Sequence, residues 1–138
     1  MKILAFIIAI YTVAMLLIHF STARILKAWS EAGSGWIKTQ FPPRRALRVE
    51  ALYWLLSLSA WPVWRTAAWK ALVVVFAVIH IGVWLGGEFG GPQLHSEGGG
   101  DPMHAGRFDR AIITFDLVEA VVLLAMGTLT VLYLLRTA

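Results

Sequence analysis

Of the 138 residues, 59% are hydrophobic and only 14% charged, and the mean hydropathy is +0.72, too little polar surface for an ordinary soluble domain. The net charge of +4 would suit a nucleic-acid binder in a soluble protein, but membrane proteins acquire basic loops for topological reasons, so nucleic acid is not the expected partner. The chain has no cysteine, which excludes disulfides, thiolate metal sites, iron-sulfur ligation and cysteine nucleophiles. A spanning helix needs about 20 apolar residues, so the length allows three or four crossings in a single membrane-embedded helical unit, residues 1–138.

The first apolar run covers residues 3–20 behind a lone Lys2. Ser21-Thr22-Ala23 has the small-x-small pattern of a signal-peptide cleavage site, but the strong positive charge follows the run instead of preceding it. The run reads as a retained first span with its N-terminus outside. Ala5, Ala9, Thr12, Leu16 and His19 recur at steps of four and three, giving a small or polar face suited to close helix packing. His19, near the inner end, reads as an interfacial or packing histidine.

Between Arg24 and Lys70 lie eight of the twelve basic residues and six of the seven tryptophans. Basic residues mark the cytoplasmic side and tryptophan the headgroup level. Within this stretch, residues 44–64 read as an interfacial, tryptophan-rich helix. The uncharged core from Ala51 to Trp64 reaches roughly 21 Å against a hydrocarbon thickness of about 30 Å, and Pro62 would kink a helix passing straight through. The alternative is a short fourth span.

Residues 66–87 form a second confident span, ending in the GxxxG spacing of Gly82 and Gly86, which lets helix backbones approach closely. Gly82 and Gly86 lie nearly opposite His80 on the helical wheel, so this helix is expected to meet one neighbour through each face. Residues 88–110 read as a glycine-rich polar loop. Its His95, Glu97, Asp101, Met103 and His104 are chemically able to hold a metal, although their spacings match no ligand template. The last span, residues 111–135, carries a stripe of Asp109, Asp116, Ala120, Leu123, Gly127 and Thr130, with Glu119 on its edge. Ala5, Ala9, Gly82, Gly86, Ala120 and Gly127 are the expected helix-packing positions.

Counting helical rise from the outer helix ends, Asp116 lies about 7 Å deep, His80 about 10 Å and Glu119 about 12 Å. These three are therefore expected to form an intramembrane polar cluster. Ionised groups in lipid pair, change protonation or face a cavity. The plainest role is a hydrogen-bonded pair that pins two helices. A proton- or quinone-facing site is the next, and a metal site built from His80, Glu119, His95 and His104 follows it. With three spans, the same rise sets His19 and His80 about 20 Å apart in depth, which argues against bis-histidine haem held by this chain alone. No cofactor is required by the sequence.

The pattern fits an all-α integral membrane protein with three transmembrane helices and an interfacial helix, or four transmembrane helices. A bacterial inner membrane is expected, with the N-terminus outside and the C-terminus cytoplasmic. Without a self-sufficient catalytic constellation, the favoured function is an accessory or anchoring subunit packed against other membrane subunits and lipid, not an enzyme. A small redox, proton or metal-handling protein centred on His80, Asp116 and Glu119 is one alternative, and a holin-like pore-forming oligomer is another.

Overall fold

The computed structural model describes residues 1–30, 35–89 and 102–137, except the side chains of Lys38 and residues 102–109. Every regular element among the described residues is helical. The order is α1 (Lys2–Phe20), α2 (Thr22–Ser30), α3 (Trp36–Gln40), α4 (Pro43–Ser59), a 3₁₀ turn (Trp61–Val63), α5 (Ala67–Phe89) and α6 (Pro102–Thr137).

Local chemistry accounts for most of these boundaries. At Ser21 the amide bonds the Ile18 carbonyl at 2.9 Å, a tightened turn, and the helix restarts with the Ile25 amide on the Ser21 carbonyl. Pro43 opens α4 at a position where its missing N–H would have been unpaired anyway. Pro62 cannot donate to the turn before it, so α4 stops at Ser59 and the chain tightens into the 3₁₀ turn. Trp64 donates its indole N–H to the Ser57 carbonyl at 2.7 Å, satisfying an acceptor freed at that helix end.

Two antiparallel helix pairs make up the core. In the first, α1 lies along α6, with Thr12 at Gly127, His19 at Glu119 and Thr22 at Asp116. A Cβ built on Gly127 would sit 3.1 Å from Thr12 Cγ2, so a larger residue there pushes the two helices apart. The buried face of α1 is Ala5, Ile8, Thr12, Met15 and His19, and that of α6 includes Glu119, Ala120, Leu123, Met126 and Thr130. Both follow the seven-residue rhythm of left-handed helix packing. In the second pair α4 lies along α5, with Leu47 against Gly87, Arg48 ion-paired to Glu88 and Trp54 stacked on Phe76. Tyr11 and Thr12 join the pairs. Tyr11 donates to the Val49 carbonyl at 2.7 Å, and the Thr12 and Tyr53 hydroxyls share a hydrogen bond at 3.0 Å.

Three helical stretches are long and apolar enough to cross a membrane: Lys2–Phe20, Ala67–Phe89 and Arg110–Thr137. They match the expected spans within a few residues, and large apolar side chains such as Ile3, Val78, Val121 and Leu135 are exposed on them. That exposure suits contact with lipid. Three successive crossings would run α1 and α6 in the same direction, whereas here they run in opposite directions.

Two local expectations change. The polar loop is shorter than 88–110, because α5 continues to Phe89 and α6 already begins at Pro102. Pro102 opens a helix, as proline does in a first turn. His95, Glu97 and Asp101 lie outside the described residues. Among the described residues the GxxxG face of α5 meets nothing: a Cβ on Gly82 or Gly86 would find no atom within 4 Å. Ala5 and Ala9 therefore do not pack on it. The glycine that is used is Gly87, where a Cβ would stand 3.1 Å from Leu47.

Candidate functional site

Where the two helix pairs meet, one carboxylate faces two imidazoles. Glu119 projects from α6 with its side chain fully buried, and its Oε2 lies 3.2 Å from His19 Nε2 of α1 and 3.1 Å from His80 Nε2 of α5. The His19 side chain is also fully buried, and that of His80 is 7% exposed. Each imidazole is oriented from behind. His19 Nδ1 is 2.8 Å from the Met15 carbonyl and His80 Nδ1 is 2.8 Å from the Phe76 carbonyl. A carbonyl only accepts, so both Nδ1 atoms carry hydrogen and both Nε2 atoms face the carboxylate.

The other Glu119 oxygen is held by α4: Trp54 donates its indole N–H to Oε1 at 2.9 Å. Trp54 is fully buried and stacks against both Phe76, at 5.0 Å between ring centroids, and His80, at 5.7 Å. Phe115 stands 6.1 Å from the His80 ring. These aromatic faces fix the imidazole plane. Thr22, just past the Ser21 break, donates to Asp116 Oδ2. Glu50 approaches from α4, with its Oε2 4.0 Å from His80 Nε2.

The expected trio of His80, Asp116 and Glu119 is arranged in two parts. His80 and Glu119 touch, whereas Asp116 sits on the His19 side, where donor atoms of His19, Asp116 and Glu119 all lie within 4.8 Å of one another. The 20 Å depth difference expected between His19 and His80 is not found, since both rings contact the same oxygen. That difference assumes three crossings, which put the C-terminal ends of α1 and α5 on opposite sides of a membrane, whereas here His19 near the end of α1 and His80 in the C-terminal half of α5 reach the same residue of α6. His104 belongs to α6 and lies about 22 Å from Glu119 along that helix, so it does not join Glu119 in one site. His95 lies outside the described residues.

Haem still does not fit, for a different reason. Axial imidazoles must face each other across a porphyrin plane, and here the Glu119 carboxylate occupies the space between the two Nε2 atoms.

His19, Trp54, Thr22 and Glu50 were not expected at this site. His19 was legible in part, because it ends the same small-residue stripe, Ala5-Thr12-His19, that packs on α6.

Neither His19 Nε2 nor Glu119 Oε2 has an aligned hydrogen-bond partner among the described residues, although the atoms are close. Three electron-pair donors thus converge in a buried space, and the described ion pairs to Glu119 come from histidine alone. Bare imidazole nitrogens and a carboxylate oxygen repel one another, so this arrangement requires positive charge between them, as protons or as a metal ion. Compared with protein-family models, with curated proteins and with solved structures, the chain matches none.

Proposed function

We propose that this chain is an integral membrane protein that binds a cation, proton or metal, at the His19–Glu119–His80 centre inside its helix bundle. The observation that supports this reading is the convergence of two imidazole Nε2 atoms on one buried carboxylate oxygen. Ionisable groups held this deeply in an apolar bundle are costly, and they mark ion or proton sites. In this reading α1, α5 and α6 cross the bilayer. Because α1 and α6 are antiparallel, Met1 and Thr137 lie on one side of it. That requires an even number of crossings, with α4 as the fourth, and replaces the arrangement with an outer N-terminus and cytoplasmic C-terminus.

The test is nitrogen NMR of histidine-labelled full-length protein in mild detergent near pH 7. At least one of the His19 and His80 rings is expected to show an Nε2 that carries a proton or a metal. Two neutral rings with bare Nε2 atoms would overturn the reading.

A role as an accessory subunit of a larger membrane complex is supported by a separate observation. The Gly82 and Gly86 face is open and apolar around its glycines, which suits another transmembrane helix. Co-purification of a defined partner that is lost on Gly82→Leu substitution is the outcome expected of that role.

A further inference from the structure

We infer that the centre is a binding site for a borderline divalent transition metal such as zinc, with His19 Nε2, Glu119 Oε2 and a carboxylate oxygen of Asp116 as ligands, and with His80 against Glu119 beside it. The inference rests on the cation-site reading above and names the cation.

Four features point to a metal in preference to protons. First, with metal–ligand bonds of about 2.0–2.1 Å, neighbouring ligand atoms of a tetrahedral site lie about 3.3 Å apart. The 3.2 Å separation of His19 Nε2 from Glu119 Oε2 is close to such an edge. Second, Glu119 Oε2 has no aligned hydrogen-bond donor. A proton shared between nitrogen and oxygen prefers a straight bond, whereas two ligands of one metal point their lone pairs at a third point. Third, the groups behind the ligands are those a metal site uses. His19 gives its Nδ1 hydrogen to the Met15 carbonyl, Trp54 holds the second oxygen of Glu119, and Thr22 holds Asp116 Oδ2. Such partners fix ring tautomer and carboxylate orientation. Fourth, one neutral imidazole and two carboxylates leave a divalent ion electrically balanced, which suits a low-dielectric surrounding.

The donor set selects the metal class. Imidazole with carboxylate suits zinc, iron or cobalt, while the soft thiolates that favour copper(I) are excluded by the lack of cysteine. Asp116 is half-buried and donor atoms of His19, Asp116 and Glu119 lie within 4.8 Å of one another, so a small side-chain movement brings all three onto one ion.

The test is titration of chelator-treated, full-length protein in mild detergent with cobalt(II) chloride, read by its visible absorbance and then displaced by zinc. One equivalent of cobalt is expected to give a saturable band of the tetrahedral type. Glu119→Gln and His19→Asn are expected to lose that band, and Thr22→Val to weaken binding about 10–100-fold through Asp116. Circular dichroism verifies that each variant is folded. A folded native chain without a cobalt band, or Glu119→Gln binding as tightly as the native chain, overturns the inference. If the band is absent while the histidine spectra show protonated Nε2 atoms, the metal is wrong and the cation-site reading stands.

Discussion

Replacing Glu119 by alanine is expected to lower the stability of the folded protein by about 3–5 kcal/mol, the cost of removing one partner from a buried charged pair. Three groups lose their partner together: the Nε2 atoms of His19 and His80, and the Trp54 indole N–H. All three are held at a junction of α1, α4, α5 and α6, with little room for water to replace the carboxylate. Reversible unfolding in mixed micelles measures the effect. Glu119→Gln is expected to cost less, because its amide oxygen can still accept from Trp54. The order alanine below glutamine below native separates the polar function of the residue from its volume. An alanine variant as stable as the native protein would show that Glu119 is not the joint between the helix pairs.

Trp54→Ala is expected to have an effect of similar size, about 3–5 kcal/mol, typical of a large aromatic removed from a packed core. Trp54 is fully buried and is the side chain through which α4 holds both α5 and α6: its ring stacks on Phe76 and His80 while its N–H reaches Glu119. Trp54→Phe keeps a stacking surface and removes only the donor, leaving Glu119 Oε1 unpaired, so it is expected to cost about 1–3 kcal/mol. The alanine and phenylalanine variants, compared in the same unfolding measurement, divide the contribution of packing from that of the hydrogen bond. Equal losses in the two would mean that the indole N–H carries the whole effect.

Much of the helical framework follows from local pattern. Long apolar runs specify α1, α5 and most of α6. The small-residue stripes foretell which faces are used, since Ala5, Thr12 and His19 on α1 and Ala120, Leu123 and Thr130 on α6 are buried. What pattern does not supply is direction and level. A stripe on α1 and a stripe on α6 can pair parallel or antiparallel, and only the antiparallel pairing sets Thr12 at Gly127 and His19 at Glu119. Depth counted from helix ends depends on the number of crossings: with three, the C-terminal ends of α1 and α5 lie on opposite sides and His19 is set apart from His80, whereas the antiparallel pairing of α1 with α6 leaves both at Glu119.

Trp54 is hidden by composition. A tryptophan-rich basic stretch has the composition of a headgroup anchor, and Trp36 and Trp61 are indeed exposed. Trp54 is fully buried on the side of α4 that also buries Tyr53 and Ser57, and Trp64, beyond the end of α4, is buried as well. Composition cannot separate the two uses of tryptophan; spacing along α4 can.

The most direct measurement is a solid-state NMR correlation spectrum of the histidine-labelled protein in lipid. With only four histidines in the chain, the rings can be assigned by single substitutions. A short-range cross-peak between the imidazole rings of His19 and His80, lost on His80→Asn, is the expected result. Assigned His19 and His80 signals with no such cross-peak, as rings at different depths in the membrane would give, would contradict the convergence on Glu119.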